Sequence, residues 1–230
     1  MRKLVIALVV LSAAAAFAGP IYDVQTGVYT VGDLVVLNDA IVTGVVYNGV
    51  FVSEDVTGPY TGVWVYTGGD PGVAQGDLVD VCGEYKEYYG LTELDVAAAG
   101  GDGYFTYVGP HMGTLTAAAV DIVTLNADPE AWECCFVHVC EGMVVTNADY
   151  GYGMWEVQSY ENPSEYLLFD DYWYDQGTVQ LGDCYTCAVG IFTYNYDEFK
   201  LNPFVDNIDV VDCSVPNESM TFGDVKALYR

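Results

Sequence analysis

The run 34-LVVLNDAIVTGVVYNGVFV-52 decides the fold. Residues Leu34 to Val46 are rich in Val, Leu and Ile, which suits a pleated, half-buried strand and not a helix. Asn48-Gly49 follows, a strong short-range hairpin signal, and Val50-Phe51-Val52 supplies the returning strand. Working outward, Gly62-Val63-Trp64-Val65-Tyr66 reads as a third strand, closed by the turn cluster Gly68-Gly69-Asp70-Pro71-Gly72. Leu78 to Tyr89 is a longer run, broken at Gly90 and resumed over Leu91 to Val96. Five strands in sequence form a meander.

The same landmarks return in the same order further along. Val42-Thr43-Gly44-Val45-Val46 is echoed by Cys140-Glu141-Gly142-Met143-Val144, Gly76-Asp77 by Gly182-Asp183, and Tyr89 with Leu94 by Tyr196 with Leu201. The offsets, 98, 106 and 107 residues, argue for duplication. Between the copies, Thr114 to Glu133 is expected to be helical. Ala117 to Ala119 permit a short helix, and Asp128-Pro129-Glu130 supplies an N-cap, a proline at the first position and an acid in the first turn. Residues 97–113 are Gly-rich and small, as in a loop or insertion.

Composition narrows the function. The chain has 33 acidic residues against 6 basic ones. Arg2 and Lys3 precede an apolar run, Leu4 to Leu11, and the stretch ends Ala16-Phe17-Ala18, so residues 1–18 read as a signal peptide. Its removal leaves 4 basic residues, Lys86, Lys200, Lys226 and Arg230, against 33 acids, a net charge of −29. Gripping phosphates takes Lys and Arg, so strong nucleic-acid binding and anionic-lipid binding are disfavoured. With 52% hydrophobic and 14% aromatic residues the chain is not a disordered polyacid. No later segment approaches the roughly 20 apolar residues of a membrane span. The expected product is secreted, periplasmic or on the cell surface.

All seven cysteines follow the leader: Cys82, Cys134, Cys135, Cys140, Cys184, Cys187 and Cys213. Export favours disulfides, and the six beyond residue 130 are the candidates, although an odd count leaves one thiol over and the connectivity is open. Zinc is the alternative, because His138-x-Cys140 and Cys184-x-x-Cys187 together offer four N/S ligands. A thioredoxin-like role would need a βαβ context, and none is visible.

The run Ala40 to Val45, then Gly49 to Asp55, Gly62 to Val65 and Gly76 to Tyr85 resembles the OB-fold domains that accompany secreted bacterial nucleases and exported surface proteins. In those, "VTGVV", "F-x-x-x-D", "G-[IV]-x-V" and "GD-x-V-x-V-x-G" strands follow in that order. Asp128 to Glu133 resembles the short helix that opens the next such domain. In the second copy Cys184 and Cys187 stand where Val or Ile is expected. The resemblance implies an all-β chain with a few short helices and two tandem five-stranded barrels, over residues 19–112 and 113–212, with a tail over 213–230.

Candidate sites follow from these elements. Only His111 and His138 could serve as a histidine base, each in an unpromising context, and no P-loop, Rossmann or HExxH pattern is present; an enzyme is not expected. OB-folds bind oligonucleotides or oligosaccharides over strands 2 and 3, which nominates Phe51, Trp64, Tyr66, Trp155, Tyr160 and Tyr166. Tyr172-Trp173-Tyr174 is the expected exposed aromatic patch. Asp70, Asp102, Asp170 and Asp171, the last two near Asp175, are weak candidates for Ca2+, because Asp with Gly also makes ordinary turns. Three functions are carried forward. The first is an exported binding module, preferring oligosaccharide over single-stranded nucleic acid. The second is an envelope protein that self-associates through strand edges, a spare thiol or its tail. The third is an accessory subunit of an extracellular nuclease, or an enzyme using an acid pair.

Overall fold

The computed structural model describes residues 19–54 and 57–211. The leader, Cys213 and the tail lie outside the described residues.

The first sheet contains β1 (Leu34–Val46), β2 (Gly49–Ser53), β3 (Gly62–Tyr66), β4 (Asp77–Tyr88), β5 (Leu91–Asp95) and β6 (Tyr104–Pro110), in the order β1-β2-β3-β5-β4-β6. Pairing of β1 with β4 closes five of these strands into a ring. Only β3 and β5 run parallel within it. Alternation sorts the faces: Val50, Val52, Val63, Val65 and Leu94 fill the ring, together with Ile21 and Val24 of a short helix α1 (Pro20–Gln25). The second sheet holds β7 (Ala118–Val120), β8 (Phe136–Val139), β9 (Met143–Gly151), β10 (Met154–Ser159), β11 (Tyr166–Asp170), β12 (Cys184–Asn195) and β13 (Glu198–Val211). There β12–β13 pairing closes β13-β11-β10-β9-β12 into a second five-membered ring, again with one parallel pair, β11 with β13. No helix among the described residues is long and apolar enough to cross a membrane.

The two copies share detailed bonds. Gly76 N–H donates to the Val42 carbonyl at 2.8 Å, and Gly182 N–H to the Val145 carbonyl at 2.9 Å. Asp77 and Asp183 each accept, at 2.8 Å, the N–H three residues earlier. The β4–β5 and β12–β13 hairpins turn through Tyr89-Gly90 and Tyr196-Asp197, all four at positive φ. Leu94 and Leu201 occupy the same place in the parallel pair. The echoes at 106 and 107 therefore mark equivalent positions in the two rings. The first echo does not: Val42 corresponds to Val145, an offset of 103, because the strand that should mirror β1 is interrupted between β8 and β9.

Several local expectations change. Residues 104–110 are not a loop but β6, whose Val79↔Tyr107 and Val81↔Phe105 pairings extend the sheet beyond the ring. Ala118–Val120 is a strand, parallel to β8. The helix of the connector is α2 (Ile122–Ala127), capped by Asp121, whose side chain accepts the Thr124 N–H at 2.7 Å. Asp128-Pro129-Glu130 opens only a 3-10 turn, Pro129–Trp132. The β1–β2 loop is Tyr47-Asn48, since Gly49 already pairs with Val46. Gly49 is glycine because a Cβ there would collide with the Val65 carbonyl and the Trp64 ring.

Cys140 and Cys187 form a disulfide. They stand opposite one another at the end of the β8–β12 pairing, where Val139 faces Ala188. Cys82, Cys134 and Cys135 are buried free thiols.

Candidate functional site

The outer face of the first ring carries a row set by strand register. Phe51 on β2 faces Trp64 on β3, Trp64 faces Glu93 on β5, and Glu93 faces Lys86 on β4. One step along, Tyr66 faces Asp95. Alternation dictates this, because the intervening Val63, Val65 and Leu94 point inward.

The second ring covers part of that face. Trp173, in the segment after β11, packs edge-on to Phe51 at 4.9 Å and lies nearly parallel to Trp64 at 6.0 Å. Tyr174 donates its hydroxyl to the Val45 carbonyl at 3.2 Å. A Cβ at Gly44 would stand 3.0 Å from that hydroxyl and 3.2 Å from Ile191, so a side chain there would press on the junction. Gly62 likewise has no room for a Cβ against the Cys134 carbonyl. A mixed apolar cluster of Val46, Phe51, Trp64, Leu91, Cys134 and Ile191 seals the junction.

Where the covering ends, a cleft of ≈ 710 Å³ opens between the rings. Trp64, Tyr66 and Trp173 form its floor and Tyr47, Tyr89, Tyr172 and Tyr196 its rim. Tyr89 and Tyr196 are equivalent hairpin-tip residues of the two copies, so duplication places one tyrosine from each ring on the same rim. Tyr172 is 51% exposed and Tyr196 71% exposed; Tyr196 lies parallel to Tyr152 at 6.4 Å, with Lys200 Nζ 5.6 Å from its ring centre, and both tyrosines keep aromatic surface open to solvent.

Charge in the cleft is ordered. Lys86 Nζ bonds Asp95 Oδ2 at 2.7 Å. Burial alone would raise the Asp95 carboxyl, but the Lys86 bond and the Ala98 N–H hold it below the ordinary aspartate value. Glu93, across from Lys86 on β4 and two residues before Asp95, is pushed up to about 7 by burial first and by the Asp95 charge second, against the Lys86 charge and the Trp64 indole N–H. Near neutrality the cleft therefore presents a carboxyl that can donate as well as accept a hydrogen bond.

The nominated aromatics divide. Trp64, Tyr66, Tyr172 and Trp173 line the cleft. Phe51 lies fully buried beneath it, as the platform under Trp64 and Trp173. Trp155 packs on Phe169 in the second core, away from the cleft. Tyr160 and Tyr166 are exposed on the second ring and do not line the cleft. Glu93, Asp95, Tyr89 and Tyr196 join the site without standing out as aromatic or acidic motifs, although the parity of 91-LTELD-95 about Leu94 puts both acids on the Trp64 face.

The four candidate aspartates do not converge. Asp70 accepts the Gly72 N–H at 2.9 Å and closes its own turn. Asp102 sits exposed in a 3-10 turn, Gly100–Asp102. Asp170 is buried against Lys200, Nζ to Oδ2 3.2 Å, and Asp171 is raised by burial and by its neighbours Asp170 and Asp175. The zinc set also divides. His138, Cys140 and Cys187 come together, while Cys184, three residues before Cys187, is turned into the protein with the Tyr160 hydroxyl 3.0 Å from its sulfur. Among the described residues, His138, Cys140 and Cys187 are the one group of three side chains able to share a metal.

No protein-family model matches this chain, and no curated protein matches its sequence.

Proposed function

We propose that this chain is an exported, non-catalytic binding protein whose ligand is a short uncharged oligosaccharide held in the cleft between the two rings. The observation that carries the reading is the convergence of Trp64, Tyr66 and Trp173 on the floor with Tyr89, Tyr172 and Tyr196 on the rim. Sugar faces stack on such rings, and hydroxyls bond to carboxylates, Asn48 and Asn195. Single-stranded nucleic acid could stack in the same way, but Lys86 is the cleft's single lining cation among the described residues and is already paired with Asp95. The disulfide supports an oxidising compartment.

Calorimetric titration of neutral oligosaccharides and of single-stranded DNA tests the proposal. Saturable glycan binding that is lost in Tyr196→Ala, with DNA silent, is the expected result. Silence toward every neutral glycan overturns it. The raised carboxyl of Glu93 beside ionised Asp95 favours a second reading, acid catalysis on the same glycan. Reducing ends released by the parent chain and not by Glu93→Gln would select it.

A further inference from the structure

Three features outside the cleft invite a function. The buried Lys200–Asp170 pair is neutralised and also touches Met154, so it is a core ion pair. The buried thiols Cys134 and Cys135 are driven upward by burial and are shut away from solvent. The disulfide at the end of β8 is different, because a histidine accompanies it.

His138 is on β8 and Cys140 two residues beyond, so both project from one face of the strand. Cys187 stands across from Cys140 on β12 and shares that face, since Val189 faces His138 and Ala188 faces Val139. The result is convergence: His138 Nε2 lies 2.6 Å from Cys140 Sγ, and the three ligand atoms fall within 4.8 Å of one another. Cys140 is exposed and the other two are half-buried, so the group opens to solvent on one side. A disulfide that only staples two strands needs no imidazole at its sulfur. Two thiolates and one imidazole around an open side are the donor set of a tetrahedral zinc site with one position left for water or another small ligand.

We propose that the reduced protein binds Zn2+ through His138 Nε2, Cys140 Sγ and Cys187 Sγ, and that the disulfide is the metal-free state of the same site. The interconversion balances with a dithiol as reductant. The Cys140–Cys187 S–S bond breaks, two thiols form, and the dithiol leaves as its own cyclic disulfide. Zinc then displaces two protons as the thiols become thiolates. The strands already hold the ligands together, so the change asks for side-chain rotation at Cys140 and Cys187 and leaves the β8–β12 pairing intact. This inference stands apart from the cleft and does not depend on what the cleft binds.

Cobalt is the probe, because its spectrum reports the ligands. The full chain is reduced with a dithiol, freed of reductant without air, and titrated with Co2+. The expected result is one equivalent, a thiolate-to-cobalt charge-transfer band with tetrahedral d–d intensity, and displacement by Zn2+. The oxidised protein should give no such band. His138→Asn leaves the disulfide and the fold in place and should weaken the reduced site by at least the roughly 10–100-fold that loss of a supporting partner costs elsewhere. Cys134→Ser, a buried thiol outside the site, should change nothing. A reduced chain that gives no charge-transfer band, or a band that His138→Asn leaves undiminished, overturns the proposal.

Discussion

Glu133 offers the sharpest physical test of how the two rings are joined. Its side chain is 0% exposed at the junction. One oxygen, Oε2, accepts the Thr92 N–H at 3.0 Å, and the other has no partner. Burial first, then the charges of Glu130 and Glu87, raise the carboxyl from 4.5 to about 8 against the opposing Thr92 bonds. A carboxyl raised in the fold contributes stability that is fully present below the unfolded value and lost as pH climbs through the folded one. The window here runs from about 4.5 to about 8. Each pH unit inside it costs the folded state about 1.4 kcal/mol. The whole window costs at most about 5 kcal/mol, and relaxation of the site would bring that nearer 2–3 kcal/mol. Glu133→Gln keeps the acceptor for Thr92 and removes the titration. Urea denaturation at pH 5 and pH 8.5 should find the variant within about 1 kcal/mol of the parent at the lower pH and about 2–5 kcal/mol more stable at the higher. Equal pH slopes in the two proteins would mean that Glu133 is ionised and compensated in the fold, the opposite of a carboxyl raised by burial.

Other expectations follow from the same geometry. Gly62→Ala drives a methyl into the Cys134 carbonyl at the junction and should cost about 1–3 kcal/mol in chemical denaturation. Trp173→Ala empties the contact with Phe51 and Trp64; thermal melts should show a loss of about 3 kcal/mol, and glycan titration a loss of binding. Lys200→Met removes the cation from buried Asp170 and leaves it only the Tyr172 N–H, a loss of about 3–5 kcal/mol, whereas Lys200→Met with Asp170→Leu should recover most of it in the same denaturation assay.

Much of the architecture was legible in the residues. The strand runs, the Tyr89 and Tyr196 hairpin tips and the Gly-Asp turns that open β4 and β12 declare themselves through short-range chemistry, and so does the repetition. Where the residues mislead, the cause is local as well. The stretch 104-YFTYVGP-110 is aromatic and polar on both faces, so an edge strand that buries little looks like a loop. The offset of 98 failed because Gly44 and Gly142 look alike, yet one makes room for Tyr174 and the other lies under Tyr160.

The candidate site was half legible. Trp64 and Tyr66 share a strand face, and Tyr172-Trp173 marks itself by density of aromatics. That these two groups form one cleft is decided by packing, because a ring's outer face becomes a floor only when the second ring arrives beside it. The fates of Glu93, Glu133, Lys200 and Cys187 were decided in the same way. Each is an ordinary letter among many acids, few cations and seven cysteines, and its chemistry comes from the neighbours that strand pairing and ring packing bring to it. Strand runs and hairpin turns are written in residues within a few positions of each other, and the repetition in the return of those local patterns about 106 residues on. Which carboxyls lose their water, which cysteines face each other and which aromatics stay open is set by packing, because burial and pairing are properties of contacts between strands and between rings.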